Sequence, residues 1–248
     1  MRCVRVAATL LAVAALVVGC TGLRDALHRV ARESSTSPSP VASSEGVIAE
    51  ARPGVVKVHG ESESCMKVTE GSGFVVAAHK VMTNAHVVAG ADTFTVVSDR
   101  KTHAAQVVSF DSQADIAILD VPDLAAEPLK FAEYTAGSGV DVLVLGFPGA
   151  TSFHASPATV REVTEIKGPD IYHVTTVRRE VYVLNGSFPD TGSSGSAVID
   201  LNGRVLGVYF GAETSNKTTG FAMTAAQVAP QMKRVNFTQT ADTQGCIY

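Results

Sequence analysis

The sequence predicts an all-β fold of antiparallel strands, with one short helix near its end. Three observations carry that prediction. β-branched runs of five to eight residues recur along the chain, and glycine, serine and aspartate punctuate them. No alternation of strands with long amphipathic helices intervenes, which favours a sandwich or barrel over a parallel sheet.

The elements follow in chain order. Met1–Arg5 supplies two positive charges, and Val6–Val18 is an apolar run closing on V-V-G-C at 17–20. The run is short for a membrane span of about 20 residues but has the build of a secretory signal. A small residue before cysteine resembles a bacterial lipobox, so Cys20 is expected to be lipidated and to become the new N-terminus. The alternative is an ordinary signal or an uncleaved anchor; either way the folded part is expected outside the cytoplasm. Leu23, Ala26, Leu27 and Val30 allow a short amphipathic tether. Residues 32–46, R-E-S-S-T-S-P-S-P-V-A-S-S-E-G, read as a Ser/Pro-rich linker.

Strands are expected from Gly46 onward, in runs at 54–60, 72–77, 93–98, 115–121, 140–147, 173–177, 180–186, 196–200 and 204–210. D-L-N-G-R at 200–204 sets Asn-Gly between two of them, the strongest hairpin signal in the chain. Thr224 with Gln227 three residues on has the form of a capping box and opens the one clear helix, which Pro230 should kink or end.

The formal net charge of −4 argues against a nucleic-acid partner, which would favour a basic face, and the absence of Trp argues against a stacking platform for bases. No histidine has metal-ligand spacing, so neither metal nor cofactor is expected. Of the four cysteines, Cys3 leaves with the signal and Cys20 carries lipid. Cys65 and Cys246 remain in an oxidising compartment and are expected to pair. The closed loop would contribute roughly 4–5 kcal/mol by chain entropy. Two separate thiols are the alternative.

The stretch D-T-G-S-S-G-S at 190–196 runs between two strands, so it is no linker. It is either a tight glycine turn or the bed of a nucleophile. T-N-A-H-V at 83–87 and D-I-A-I-L at 115–119 supply the company that favours the second. In the order His, Asp, Ser, and with G-S-G-F at 71–74 and L-G-F-P-G at 145–149, these motifs resemble the trypsin-like serine proteases of the bacterial HtrA branch. Within that branch they look most like the periplasmic domains of the actinobacterial acid-resistance membrane proteases. The resemblance covers about residues 46–248. An α/β-hydrolase is disfavoured, because its triad runs Ser, Asp, His and its G-x-S-x-G elbow would need glycine where Ser196 stands.

The resemblance implies a chymotrypsin-like fold of two antiparallel six-stranded β-barrels, the first over about 46–130 and the second over about 131–248. It leaves no room for a PDZ domain after them. It implies an endopeptidase acting through an acyl-enzyme on protein or peptide substrates. Ser194 would be the nucleophile, His86 the general base, Asp115 its orienter, and the N–H groups of Gly192 and Ser194 the oxyanion hole. Ser193 and Ser196 are rival hydroxyls and Asp111 a rival acid, more in keeping with a turn. Ser193 stands where the family usually has Asp or Asn, and Ser196-Ala197 replaces Gly-Pro. Phe188, six residues before Ser194, falls at the floor of the primary pocket and argues against Lys or Arg as the favoured side chain. Val208, Tyr209, Phe210 and Gly211 would form the strand that pairs with substrate. A catalytically silent lipoprotein that binds peptides in the same cleft is the reading kept beside the enzyme.

Overall fold

A computed structural model describes residues 40–188 and 191–247. The expected signal segment, Cys20 and most of the expected linker lie outside the described residues. Among the described residues twelve strands form two closed antiparallel barrels. The first is built from β1 (Val55–Ser62), β2 (Lys67–Ala77), β3 (Lys80–Thr83), β4 (Thr93–Ser98), β5 (Lys101–Asp111) and β6 (Ile116–Asp120), in the order β1-β2-β3-β6-β5-β4. The second holds β7 (Asp141–Gly146), β8 (His154–Pro169), β9 (Thr176–Gly186), β10 (Ala197–Asp200), β11 (Val205–Ala212) and β12 (Thr219–Thr224), in the order β10-β11-β12-β9-β8-β7. The all-β expectation and the six-plus-six strand count hold.

Period-2 burial explains the strands that the β-branched runs do not mark. Along β5 the side chains of His103, Ala105 and Val107 turn inward while Thr102, Ala104 and Gln106 face out. β8 carries Pro157 and many charges, and its far half pairs with β9 as a hairpin arm, Thr164 opposite Val181 and Pro169 opposite Thr176. The runs at 173–177 and 180–186 are not two strands: residues 173–175 belong to the turn, and β9 is continuous from Thr176. The Asn-Gly hairpin is present. Asp200 Oδ1 accepts from the amides of Asn202 and Arg204, and Gly203 takes φ +75°.

The linker expectation needs correcting at its end. Helix α1, Pro40–Ala51, occupies the end of the residues read as linker and the stretch between them and the first expected strand. Val47, Ile48 and Ala51 fall on one side of it and pack on a core cluster with Val55, Phe74 and Val205. That short i, i+1, i+4 pattern is the signal the serines and Gly46 obscured. Helix α2, Ala85–Val88, follows β3, and helix α3, Ala225–Met232, follows β12. Thr224 caps α3 by accepting from the Gln227 amide, but the Gln227 side chain accepts from the Glu180 amide, so only half of the capping box forms. The helix ends two residues after Pro230, which has no N–H to continue it.

Each barrel has its own interior. Val56, Val58, Val81, Val96 and Leu119 fill the first, and Val144, Tyr182, Leu184, Leu206 and Tyr209 the second. A third cluster joins Phe74, Met82 and Ile116 of the first barrel to Leu145, Val181, Val208 and Met223 of the second. Full burial of such side chains stabilises by about 1.5–3 kcal/mol each. This cluster fixes the first barrel against the second. The chain then returns: Ala241 N–H donates to the Val107 carbonyl, and Gly90 N–H to the Thr243 carbonyl. Cys65 and Cys246 are bonded, with sulfurs 2.02 Å apart across 181 positions.

Candidate active site

T-N-A-H-V ends β3 and begins α2. Asn84 is extended and its Nδ2 donates to the Asp115 carbonyl at 2.9 Å. His86 follows within the helix. Its backbone N–H donates to Asp115 Oδ1 at 3.0 Å, and Nδ1 lies 3.0 and 2.9 Å from the two carboxylate oxygens. One carboxylate thus holds both the main chain and the ring of one histidine.

Asp115 stands just before β6, buried, with φ +53°. A non-glycine residue in that region is strained by about 1–2 kcal/mol. The Asn84 and His86 contacts account for its retention. Asp111 has the other role open to it: its Oδ1 accepts from the amides of Gln113 and Ala114, closing the turn that delivers Asp115.

Burial pushes the His86 imidazole down, but the charge and hydrogen bond of Asp115 outweigh it. Arg179 and Lys67 push it down further, and the net position remains above the ordinary 6.5. Arg179 also donates from Nε to the Gln113 carbonyl at 2.9 Å, gripping the turn ahead of Asp115.

The serine stretch lies between β9 and β10. Ser194 Oγ donates to the Phe210 carbonyl at 3.3 Å, and no hydrogen bond joins it to His86. Its carbonyl accepts from the Ser72 amide at 2.8 Å. Gly71 lies where the two candidate segments meet. A Cβ there would fall 2.7 Å from the Val87 side chain and 3.0 Å from the Ser194 carbonyl. Hence G-S-G-F needs its first glycine.

Gly192 has φ +78°, and a Cβ on it would lie 2.6–2.7 Å from Gly149 N, Ala150 N and Phe147 O. Those three atoms belong to the turn after β7. Gly149 N–H donates to the Thr191 carbonyl at 2.8 Å. A trans peptide is planar, so the Gly192 N–H points opposite to that carbonyl. Ser72 Oγ donates to the Gly192 carbonyl at 2.8 Å and accepts from the Phe147 amide at 2.8 Å. Both carbonyls flanking Gly192 are therefore tied down. Its own N–H and that of Ser194 have no partner among the described residues.

Ser193 and Ser196 are both buried. Ser196 Oγ has no partner among the described residues and sits where a Cβ on Gly146 would be, behind the turn rather than in a cleft. Phe188 is also buried, stacked on Tyr209 with ring centroids 5.3 Å apart, beneath Gly186 and Gly220. Val208 faces the cluster between the barrels and Tyr209 the interior of the second barrel, while Phe210 and Gly211 are half-buried. Beyond Val208 no strand pairs with β11 on its β10 side. Ser72 and Asn84 were missed as supporting residues. Their signal lay in motifs already singled out, where the glycines and the histidine drew the reading.

Comparison with known proteins now bears on the same residues. A family model of the trypsin-like peptidase domain matches residues 71–208. The chain belongs to the trypsin-like peptidase family. The serine protease Rv3671c of Mycobacterium tuberculosis (strain H37Rv) is 46% identical over 212 residues, 85% of this chain and 53% of that protein. The chain thus spans about half the length of the curated relatives it matches. The crystal structure of the Rv3671c protease in its active form superposes with TM-score 0.81 at 45% identity, covering 86% of this chain and 94% of that one. The inactive form superposes with TM-score 0.70 at 44% identity, covering 81% and 98%. A probable periplasmic serine protease do/HhoA-like of Haemophilus influenzae is 32% identical over 144 residues, 56% of this chain and 30% of that protein. This trypsin-like peptidase domain therefore carries its likeness across both barrels.

Proposed function

We propose that the protein is a serine endopeptidase working outside the cytoplasm through His86, Asp115 and Ser194. The observation that carries the reading is the doubly bonded His86–Asp115 pair beside a serine turn whose Gly192 and Ser194 amides are unspent. Family membership and the higher similarity to an active-form relative support it.

In the first step His86 Nε2 takes the Ser194 hydroxyl proton as Oγ attacks the peptide carbonyl. The oxyanion of the tetrahedral intermediate accepts from the Gly192 and Ser194 N–H groups. Asp115 keeps the proton on Nδ1 and stabilises the imidazolium. His86 then protonates the leaving amine, and the acyl-enzyme is hydrolysed by water activated at the same nitrogen.

The Ser194 bond to the Phe210 carbonyl defines the order of events. A substrate strand laid along the open edge of β11 brings a backbone N–H to that carbonyl and displaces the hydroxyl. The hydroxyl then turns to His86. Phe188 and Tyr209 fill the space beneath the glycines of β9 and β12, so the primary pocket takes a small or apolar side chain. Cys20 anchors the chain to the outer face of the membrane through lipid. V-V-G-C supports that reading, and the Cys65–Cys246 bond suits an oxidising compartment.

The purified chain should cleave an unfolded protein such as reduced casein, and Ser194→Ala should not. Equal cleavage by both would remove the assignment. The silent binder draws on one observation, the missing Ser194–His86 hydrogen bond. It predicts peptide binding with no cleavage by either protein. Palmitate incorporation in cells that is lost in Cys20→Ala tests the anchor.

A further inference from the structure

The turn that holds Thr191 has a second face. Phe147, Thr151, Ser152 and Phe153 form one wall of a cavity of about 580 Å³, away from Ser194. The opposite wall is Arg52, Val55 and Lys57, with Val97, Asp99 and Arg100 closing it from the β4–β5 hairpin. Three cations thus face one carboxylate across a floor of valine and phenylalanine.

Of the three cations, Lys57 alone is ion-paired with a described residue, through Glu70. Arg52 lies 5.2 Å over the Phe153 ring, and its guanidinium makes no hydrogen bond or ion pair with any described residue. Lys57 donates to the Ala150 carbonyl at 3.2 Å and has Glu70 at 3.7 Å. Arg100 makes no hydrogen bond or ion pair with any described residue. It stands with Asp99 at the two-residue tip of the hairpin, both with positive φ, +46° and +66° in chain order. Such tips favour Asn-Gly; an arginine there is strained. An unpartnered charge is thus held at an unfavourable backbone position, on the rim of a cavity with two other cations.

We propose that this cavity binds an anion with an apolar body, a phosphate or carboxylate head between Arg52, Lys57 and Arg100 and a short hydrocarbon part against Phe147 and Phe153. The inference rests on the proposed function for its consequence and not for its chemistry. The cavity wall is formed by the same turn, residues 147–153, from which Gly149 supports Thr191. A ligand that binds this arrangement stabilises it. Lys57, bonded to Ala150 between the two, ties the anion to the turn. Occupancy therefore raises the fraction of molecules with the Gly192 N–H correctly aimed, and the reactivity of Ser194 with it.

The test uses phenyl phosphate and 3-phenylpropionate as probes, with inorganic phosphate and benzyl alcohol as controls. Binding is measured by calorimetry on the Ser194→Ala protein, where activity plays no part. Both anions, or one of them, should bind more tightly than either control, and weaken as salt is raised. Arg100→Gly removes the charge while relieving the backbone, so the fold is kept or strengthened. It should weaken binding about tenfold, as should Lys57→Gln. Which of the two probes binds names the head group. Equal binding by Ser194→Ala with and without Arg100→Gly, or binding of benzyl alcohol as tight as that of the anions, overturns the site. In wild type, the rate of Ser194 labelling by a fluorophosphonate should rise and saturate with the anion at its dissociation constant, and not in Arg100→Gly. Binding without any change in that rate overturns the coupling. A protein that binds anion but is never labelled keeps the site and defeats the proposed function instead.

Discussion

The amide of Gly149 holds the carbonyl of Thr191 at 2.8 Å, and that bond sets the direction of the next N–H, at Gly192. The residue able to accept this geometry is glycine. Its φ is +78°, and three backbone atoms of residues 147–150 crowd the place of a Cβ.

Gly192→Ala should therefore displace this peptide and remove one oxyanion donor. Turnover is expected to fall about 100–1000-fold, the scale for loss of one such donor. The circular dichroism spectrum should stay that of the folded barrels. Turnover near wild type would show that the Gly192 amide takes no part.

Asp115→Asn keeps the shape but reverses the preference for which ring nitrogen of His86 carries the proton. A loss of about 10⁴ in kcat is the scale for this change in a His-Asp-Ser triad. A loss under tenfold would assign the orienting role elsewhere, and Asp111→Asn, expected to affect stability more than rate, is the comparison to run.

The base must be neutral to act, so activity is present at high pH and lost as pH falls through the His86 pKa. Burial lowers that pKa, Asp115 raises it by more, and the net shift is upward. The acid limb of kcat/KM should have its midpoint above about 6.5. Arg179 and Lys67 oppose the shift, so Arg179→Gln and Lys67→Gln should each move the midpoint to higher pH. A midpoint below 6.5, or movement toward lower pH in both variants, contradicts the assignment.

Much of this was readable in the sequence because chemistry and geometry coincide there. T-N-A-H and G-S-S-G each place a functional group and the small residues its surroundings demand. The hairpin at 200–204 was legible for the same reason, since Asn-Gly specifies its own turn. Strand β8 was not, because half of it pairs with β9 as an exposed arm and never shows an apolar alternation. Helix α1 was hidden by serines whose local preference is for turns, overridden by Val47, Ile48 and Ala51 packing on the core. The hydroxyl of Ser72 was missed because its importance lies in two contacts, to Gly192 and Phe147, that come together only when the barrels meet.

The Cys65–Cys246 bond ties the β1–β2 turn to a tail that also bonds Gly90, four residues after His86. Cys246→Ser should lower stability by up to roughly 4–5 kcal/mol, read as a drop in Tm. An unchanged Tm would mean that the tail holds its place without the bond.

The most direct test of the account is labelling of the purified chain by a fluorophosphonate, wild type beside Ser194→Ala and His86→Ala. The account predicts a labelled wild type and two unlabelled variants. Label retained in Ser194→Ala, or a wild type that stays unlabelled with an intact Cys65–Cys246 bond, would contradict it.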